Sequence, residues 1–400
     1  MSGAKAKIKR QAKALLEWFA REARDLPWRR TRDPYAIWVS EIMLQQTQVK
    51  TVIPYWERWM KALPDVQTLA EARPDRLHKL WEGLGYYTRV RNLQKAAQLI
   101  VGRHGGRFPN EFEQVLDLPG IGRYTAGAIC SIAFNQPRSI LDGNVIRVLT
   151  RVHGLAGDPK AKALNQRLWQ LAEDWVLSAS GRHGTLNESL MELGALVCLP
   201  RDPRCEDCPV RKTCVARRDD RIAELPGIPR RQPSTPRWFA ALVMRRGERF
   251  LVVQRPHGVV NGSFWEFPNV ELKGPGADSL RASLESSSRR KEALTSDRRG
   301  SRKPGHLSPL TSAATTDSRV FKQARETAMA SLGVRFDALK LLCTIKHSIT
   351  RYRITLKAFV ADAVVWKKRT GEQGRWLTLA EMEKLAFTSA HRKILRMLRR

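Results

Sequence analysis

Acidic residues, cysteines and long apolar runs are all scarce in this sequence. Among its 400 residues, 39 are Asp or Glu and 71 are Lys or Arg, so the formal net charge is +32. No apolar run approaches the roughly 20 residues that span a bilayer. The basic N-terminus continues into charged residues at 21–25 instead of a small-residue cleavage site. These absences argue against a membrane or secreted protein, and we expect a cytoplasmic protein of two or three domains.

The excess of basic residues predicts a polyanionic partner. Lys and Arg side chains displace condensed counterions from phosphates, so nucleic acid is the first candidate. An unusually basic organism or a disordered basic tail would give the same charge. The charge by itself therefore indicates a class of partner and no chemistry.

Residues from about 5 to 215 have the pattern of helices joined by short turns. Apolar residues recur at helical intervals in 37–60, 76–102 and 186–198, and Gly and Pro occupy the gaps between them. The pattern predicts an all-α domain over residues 1–223. A Pro-rich linker follows at 224–237.

After the linker the pattern changes to strands. Residues 238–256 predict two strands around an Arg-Arg-Gly turn, and helices are expected near 321–332 and at 389–398. We place a smaller α+β domain at 238–400. Within it, residues 276–318 are rich in Ser, Arg and Lys and nearly free of aromatic residues, which predicts a disordered insertion.

The six cysteines divide into two scattered residues and one cluster. Cys130 and Cys343 lie in apolar contexts that suit buried structural thiols. The other four crowd into seventeen residues with the spacing x6-x2-x5, namely Cys198, Cys205, Cys208 and Cys214. In a reducing compartment such a cluster indicates a metal site and not disulfides. Zinc is an alternative, although zinc ribbons usually pair two C-x-x-C knuckles and only one is present here.

A second motif, Leu118 to Ala126, fits a helix-hairpin-helix turn. Its two glycines, Gly120 and Gly122, let the backbone approach a phosphate, and the start of the next helix completes an anion site. Such a turn between helices is weak evidence by itself. It gains weight from Asp142, which follows about twenty residues later in Leu141-Asp142-Gly143-Asn144.

With the cysteines, the hairpin and this Asp in the same order, the chain resembles the helix-hairpin-helix DNA glycosylases of the endonuclease III superfamily. Within them it is most similar to the MutY-type adenine DNA glycosylases, and the match runs from about 20 to 230. The stretches that carry it are LPWR (26–29), WVSEIMLQQT (38–47), WEGLGYY (81–87) and NESLMELGA (187–195).

The resemblance implies hydrolysis of the N-glycosidic bond of adenine mispaired with 8-oxoguanine or guanine in double-stranded DNA. It assigns Glu41 as the acid for the adenine nitrogen and Asp142 to the sugar cation, as glycoside chemistry requires. Glu41 lies in an apolar helical stretch, where partial desolvation would raise its pKa. Without the resemblance, a surface helix residue would be the preferred interpretation of Glu41. The alternative for Asp142 is an N-cap of the helix that begins at Gly143.

The resemblance also assigns supporting residues. Tyr124 replaces the Lys that bifunctional relatives use as a Schiff-base nucleophile, so a monofunctional glycosylase is expected. Aromatic packing is the alternative for Tyr124, and a helix-surface charge is the alternative for Glu188. The base pocket is expected to include Arg29, Asn144 and Glu188.

Base excision requires the adenine to leave the stack, and a side chain must then fill the gap. The resemblance makes Gln46 and Tyr86 candidate wedges. Further contacts to DNA are expected from Gln45, Leu118, Gly120 and Gly122.

The resemblance further implies one [4Fe–4S] cluster per chain on the four clustered cysteines, in a loop over residues 198–214. Arg201, Arg204, Arg211 and Lys212 lie among these cysteines and could grip phosphates, so we expect a structural cluster. The implied protein is a monomer that acts on bacterial nucleoid DNA, without a membrane partner.

The C-terminal region resembles the Nudix-like domain that reads 8-oxoguanine in this family. The stretch SFWEFP (263–268) agrees with it. The paired glutamates that hold the metal of a Nudix hydrolase would fall at Ala330 and Ser331, so a binding role is expected. Lesion contacts are assigned to His347, Ser348, Ile349 and Thr350, where many members have Phe-Ser-His and this chain continues with Arg351. A plain edge strand is the alternative for this segment.

Three other functions remain open at this point. An endonuclease III-like glycosylase/lyase is disfavoured by Tyr124 and by the C-terminal domain. A non-catalytic iron–sulfur DNA-binding protein is disfavoured by the presence of both Glu41 and Asp142. A Nudix pyrophosphatase fused to a DNA-binding domain is disfavoured by the missing glutamates.

Overall fold

The structure is a computed structural model in which the chain forms two compact units, Met1–Arg231 and Gln232–Arg400. The residues that it describes are 3–227, 229, 233–256, 258–273, 322–330, 332–336, 338–349, 351–366 and 374–399. The predicted insertion at 276–318, Ser331 and Thr350 lie outside the described residues. No helix among the described residues has the length and apolar character needed to cross a membrane.

The first unit is helical, as predicted from the apolar spacing. Its helices are α1 (Gly3–Glu22), α2 (Pro34–Leu44), α3 (Val49–Ala62), α4 (Val66–Glu71), α5 (Pro74–Trp81), α6 (Thr88–His104), α7 (Phe112–Leu116), α8 (Arg123–Phe134), α9 (Gly143–His153), α10 (Lys162–Leu177), α11 (His183–Leu196) and α12 (Val215–Arg218). Short 3₁₀ turns occupy Pro27–Arg30, Cys205–Asp207 and Arg211–Thr213.

The sequence of helix α2 explains both where the helix begins and why it is buried. The Asp33 carboxylate accepts hydrogen bonds from the N–H groups of Tyr35 and Ala36, and Pro34 occupies the first helical position. Every residue from Tyr35 to Met43 is buried. A helix that is apolar on all sides belongs in the interior of a domain, and α2 accordingly packs against α3 and α8.

Small residues let the central helices approach closely. A Cβ on Gly184 of α11 would lie 2.3 Å from the carbonyl oxygen of Ser131, and one on Gly194 would lie 2.6 Å from the Cβ of Asn144. Helix α11 therefore packs tightly on α8 and α9. The four helices α2, α8, α9 and α11 converge as a result, and their facing residues form the candidate site.

The second unit is a mixed sheet with helices on both faces. Its elements are β1 (Thr235–Arg246), β2 (Arg249–Gln254), β3 (Trp265–Glu266), β4 (Asn269–Leu272), α13 (322–330), β5 (Val334–Phe336), β6 (Lys340–Ile349), β7 (Tyr352–Trp366), β8 (Gly374–Leu377), α14 (Leu379–Glu383) and α15 (Ser389–Met397). The sheet order is β3-β2-β1-β7-β5, with β4 on β1, β6 on β7 and β8 on β2.

The central strand β1 is buried on both faces, which explains its continuous apolar sequence. Ala241 and Val243 pack in the cluster that includes Ile394 of α15. Leu242 and Met244 face the opposite cluster, which includes Ala328 of α13. The strand period of two thus supplies two cores from one strand.

Candidate active site

A cavity of about 540 Å³ opens among helices α2, α8, α9 and α11. It brings together most of the catalytic and base-pocket residues that were predicted from the sequence. The predicted residues that line it are Arg29, Glu41, Gln45, Gln46, Tyr124, Asp142, Asn144 and Glu188. Residues separated by more than 140 positions in the chain therefore meet in one pocket.

Glu41 is buried, with 6% of its surface exposed, so the surface-helix interpretation of this residue is wrong. Its Oε2 accepts a hydrogen bond from the Tyr124 hydroxyl at 2.9 Å. Burial, helped by the negative charges of Asp142 and Glu188, raises the pKa of Glu41 to about 7, against the lowering effect of the Tyr124 bond. A carboxylic acid with this pKa holds a proton in neutral solution and can donate it.

Tyr124 uses its hydroxyl as well as its ring. The hydroxyl lies 2.9 Å from Glu41 and 3.2 Å from the sulfur of Met191, on α11. Burial and the nearby carboxylates raise the pKa of Tyr124 well above its ordinary value. Tyr124 therefore remains a neutral donor beside Glu41, and aromatic packing alone does not account for it.

Asp142 is the N-cap of α9 and also lines the cavity. Its Oδ1 accepts the Val145 N–H at 2.7 Å, and its Oδ2 accepts the Asn144 amide at 3.0 Å. The Arg147 guanidinium in turn donates to the Asn144 amide oxygen at 2.9 Å. Burial raises the pKa of Asp142, whereas these hydrogen bonds lower it. Capping and a position in the site are thus compatible for this residue.

Glu188 is also buried, so its interpretation as a helix-surface charge is wrong. Its carboxylate lies 3.5 Å from Nε of Arg29 and 3.4 Å from Arg32. Burial raises the pKa of Glu188, although both guanidinium groups act in the opposite direction. Glu188 therefore lines the cavity and forms ion pairs with two arginines.

Two pocket residues, Glu192 and Arg24, were missed in the sequence. Glu192 is 1% exposed and accepts hydrogen bonds from Arg24 at 2.9 and 2.6 Å and from Arg29 at 3.1 and 3.0 Å. Burial opposes ionisation, but these bonds hold the pKa of Glu192 at about 2. The available signal was the spacing Glu188-x3-Glu192, which puts both carboxylates on one face of α11.

The helix-hairpin-helix turn lies outside the cavity lining. Leu118 is buried, whereas Gly120 and Gly122 are exposed. Gly120 has φ +81°, which favours glycine, and an added Cβ would lie 2.8 Å from that of Asn92. Gly122 is the N-cap of α8 and has no side chain to satisfy the first N–H groups of the helix. The exposed N-terminus of α8 is thus a surface suited to an anion.

The two candidate wedge residues share an unusual backbone conformation. Gln46 has φ +55° and Tyr86 has φ +47°, the left-handed region that non-glycine residues rarely adopt. Both side chains are exposed, Tyr86 by 48%. Gln46 lines the cavity, whereas Tyr86 does not.

The four clustered cysteines line one small apolar pocket beside α9 and are not joined in disulfides. Burial, together with the other three cysteines nearby, raises the pKa of Cys208 to about 12. The Arg151 guanidinium lies 3.5 Å from the sulfur of Cys198. Among the described residues, no group of three or more His, Cys, Asp or Glu is arranged to hold a single metal ion.

The basic residues of the cysteine loop differ in whether they form ion pairs with acidic neighbours. Arg204 pairs with Asp207 at 3.6 Å, and Arg211 pairs with Glu206 at 2.9 Å. Arg201 and Lys212 are exposed. Phosphate contacts by Arg204 and Arg211 would therefore compete with acidic neighbours.

The segment assigned to the lesion forms the end of β6, which pairs with β7 through Ile349 and Tyr352. Among the described strands β6 pairs with β7 alone, so it is an edge strand. Ser348 is exposed, and His347 is half-buried with a pKa lowered by burial and by Lys393. Ala330, which was aligned in the sequence with a metal-binding glutamate of Nudix hydrolases, lies in α13.

Comparison with known families matches both units. Residues 39–174 match the HhH-GPD superfamily of base excision DNA repair proteins, and residues 239–397 match the NUDIX domain. The first match spans Glu41, Tyr124 and Asp142.

Similar proteins are the adenine DNA glycosylases of several organisms. The protein of Rattus norvegicus is 42% identical over 68% of this chain and 62% of its own length. That of Buchnera aphidicola subsp. Acyrthosiphon pisum is 36% identical over 65% of this chain and 74% of its own length. This chain thus spans less than two thirds of the rat relative.

A solved structure of a thermostable thymine-DNA glycosylase is 30% identical. It matches over 55% of this chain and 100% of its own, with a TM-score of 0.50. The sequence relatives, the family matches and the helical first unit agree. The chain belongs to the adenine DNA glycosylase family, within the helix-hairpin-helix superfamily of base excision DNA repair proteins.

Proposed function

We propose that this protein is an adenine DNA glycosylase that hydrolyses the N-glycosidic bond of adenine opposite 8-oxoguanine or guanine in duplex DNA. The observation that carries the proposal is that buried Glu41 and half-buried Asp142 line one cavity, with a pKa of about 7 for Glu41. A protonated and an ionised carboxyl group around one bond are what glycoside hydrolysis requires.

In the proposed reaction, the Glu41 carboxyl donates its proton to a ring nitrogen of adenine. The bond from the base to the sugar breaks, and its electron pair leaves with the protonated base. Asp142 stabilises the positive charge that develops on the sugar, and water then adds to the sugar carbon and loses a proton to the Glu41 carboxylate, which restores the acid. Tyr124 holds the Glu41 carboxyl in place, and Asn144 orients Asp142.

DNA is proposed to reach this chemistry by base flipping. The exposed side chains of Gln46 and Tyr86 would fill the space that the adenine leaves. The exposed turn at Gly120 and Gly122 and the N-terminus of α8 suit a phosphate of the same strand. Gln45 and Leu118, which lie next to these two regions in the chain, would add further contacts to the DNA.

We propose a monofunctional enzyme because Tyr124 occupies the hairpin position that would carry a Schiff-base lysine. A phenol cannot form an imine with the opened sugar. Sodium borohydride should therefore trap no covalent complex with A:8-oxoguanine duplex under conditions of full adenine release. A trapped complex would favour the endonuclease III-like glycosylase/lyase instead.

The four cysteines are proposed to hold one [4Fe–4S] cluster. They fit it because they converge on one apolar pocket as free thiols. Four irons that each bind one cysteine also set their ligands farther apart than a single zinc ion does. The bound cluster would supply structural rigidity to the loop that displays Arg201 and Lys212. Iron and sulfide analysis, with Cys208→Ser for comparison, tests this assignment.

The second unit is proposed to recognise 8-oxoguanine without hydrolysing nucleotides. Ala330 lacks the carboxylate that a Nudix metal site needs. The hairpin end at His347, Ser348 and Ile349, together with Thr350, remains the proposed contact. We further propose that the protein acts as a monomer in a reducing cytoplasm, on DNA of the nucleoid.

Single-turnover adenine release tests the function directly. We expect release from duplexes with adenine opposite 8-oxoguanine and opposite guanine, and none from adenine opposite thymine. Equal release from all three duplexes would contradict mispair specificity. Binding without any release would favour the non-catalytic DNA-binding protein.

A further inference from the structure

Arg89 lies on the first turn of α6, between the two loops that carry the candidate wedge residues. One loop follows α2 and contains Gln46. The other is the turn between α5 and α6 and contains Tyr86. Nothing in the motifs of the sequence drew attention to this arginine, and it does not line the cavity.

The two terminal nitrogens of Arg89 donate to both loops and to the end of α2. Nη1 donates to the carbonyl oxygens of Ile42 at 2.8 Å, Met43 at 3.0 Å and Gln45 at 2.6 Å. Nη2 donates to the carbonyl oxygens of Leu84 at 3.0 Å and Gly85 at 3.1 Å, and to the hydroxyl oxygen of Thr47 at 3.4 Å. A single planar guanidinium therefore joins the two loops.

Two of the carbonyl groups that accept hydrogen bonds from Arg89 directly precede the two candidate wedge residues. The carbonyl of Gln45 belongs to the peptide plane before Gln46, and that of Gly85 to the plane before Tyr86. Fixing the plane before a residue restricts its φ, and both wedge residues have positive φ. Arg89 thus opposes the relaxation of two strained residues at once.

The surroundings hold the guanidinium in place. It lies 5.3 Å from the ring centre of Trp81 and 5.5 Å from that of Tyr86. The carbonyls of Ile42 and Met43 are at the C-terminal end of α2, where a cation is favourable. Because Glu41 is also on α2, Arg89 connects the two wedge loops to the helix that carries Glu41.

We propose that Arg89 is a positioning residue that couples Gln46 and Tyr86 into one wedge and ties this wedge to the end of helix α2. The proposal rests on the wedge roles in the proposed function. Lysine cannot replace Arg89, because one ammonium group cannot donate to both loops as the fork does.

The test measures base unstacking separately from base release. A duplex with an A:8-oxoguanine mispair and 2-aminopurine beside the adenine reports unstacking as a fluorescence rise in stopped flow. Arg89→Lys should slow this rise about tenfold or more, because small misplacement of such groups is costly. The pH profile of adenine release should keep its midpoint, since Glu41 retains its surroundings.

A double-substitution cycle tests the coupling itself. With Arg89 present, Gln46→Ala and Tyr86→Ala together should slow unstacking less than the product of their single effects. In the Arg89→Lys background the two effects should multiply. Arg58→Lys is the matched control, because Arg58 also lies over a tyrosine ring and donates to a carbonyl, that of Leu80. It should leave unstacking unchanged.

The outcomes separate this inference from the function. Unstacking at the original rate in Arg89→Lys, or equal coupling in both backgrounds, would overturn the inference. Unstacking without adenine release in the unsubstituted protein would overturn the proposed function alone. The absence of any fluorescence rise in the unsubstituted protein would overturn both.

Discussion

The buried helix that carries Glu41 sets the pKa of its carboxyl group. All residues from Tyr35 to Met43 are buried, so the charged form of Glu41 loses solvation by water. The Tyr124 hydroxyl offsets part of this effect with a hydrogen bond to the carboxylate. The balance leaves the pKa at about 7, where the proton is both held and available.

Tyr124→Phe should move the pH profile of adenine release to higher pH. The bond from Tyr124 lowers the pKa of Glu41, so its removal raises that pKa further above 7. Release requires the protonated acid and should therefore persist to higher pH, with a midpoint displaced by about one unit or less. Single-turnover rates between pH 5 and pH 9 measure this midpoint.

Tyr35→Phe provides the matched control at the residue scale. The Tyr35 hydroxyl is buried and donates to the Leu63 carbonyl, away from the cavity. Its loss should lower stability and leave the midpoint of the profile in place. A midpoint that moves to lower pH in Tyr124→Phe would contradict the assigned hydrogen bond.

At the residue scale, the sequence alone misjudged burial. Glu41 and Glu188 read as surface charges without the family resemblance, although both are buried. The pattern of α2 did carry the signal, because an all-apolar helix is an interior one and its single Glu must be interior too. Glu188 had no such signal, since its partners Arg29 and Arg32 lie more than 150 residues away in the chain.

At the element scale, Glu192 ties α11 to the segment before α2. Glu192→Gln should lower the free energy of unfolding at neutral pH by about 3 kcal/mol, because two arginines lose a buried partner. The pKa of Glu192 is lowered from 4.5 to about 2. The carboxylate therefore stabilises the fold above pH 4.5, and the difference between variant and parent should vanish as pH falls through about 2. Urea unfolding at several pH values checks this.

Asp25→Asn is the control for this prediction. Asp25 also forms a two-bond pair with an arginine, Arg30, but on the exposed surface. Its substitution should leave the unfolding midpoint unchanged, because water screens such pairs. An equal loss in both variants would contradict the importance of burial at Glu192.

The contact of α11 with α9 depends on Gly194. Gly194→Ala would place a Cβ 2.6 Å from that of Asn144, so the first turn of α9 must move and Asp142 with it. We expect a loss of about 1–3 kcal/mol in stability and slower adenine release. Gly102→Ala in α6 has open space at this position and should stabilise the protein by about 0.5–1 kcal/mol. Slower adenine release by Gly102→Ala, or an unchanged rate of release by Gly194→Ala, would contradict this account.

Element types were predictable where one period dominates. The helical spacing of 76–102 corresponds to α5 and α6. The predicted turn between two strands is present, but it occupies Gly247 and Glu248, because Arg245 and Arg246 still belong to β1. The close approaches at Gly184 and Gly194 were not predictable, because they depend on which helices meet. Arg89 was not predicted for the same reason: all but one of its acceptors are backbone carbonyls, which any sequence supplies.

At the scale of the whole molecule, the net charge of +32 predicts that the proposed DNA binding weakens with salt. If the protein neutralises six to ten phosphates, the dissociation constant should rise about 10³-fold or more between 50 and 200 mM salt. Fluorescence anisotropy with an uncleavable duplex measures this. A change of less than about tenfold would mean that few phosphates are contacted.

The family and the two-part organisation followed from motifs and composition, whereas the meeting of residues in the cavity needed the fold. Glu41 and Asp142 are 101 positions apart in the chain. Their convergence depends on α2 packing on α8, α9 packing on α11, and α8 packing on α11. Chemistry that depends on such convergence is the part that a single sequence conveys only through resemblance.

The most direct test of the account is single-turnover adenine release from an A:8-oxoguanine duplex by the Glu41→Gln protein. We expect the rate to fall by about 10²–10⁴-fold or more, because the amide cannot donate the required proton, while duplex binding is retained. Glu57→Gln, at an exposed glutamate of α3, should release adenine at the original rate. Release by Glu41→Gln within a few-fold of the original rate would contradict the central claim that Glu41 is the acid.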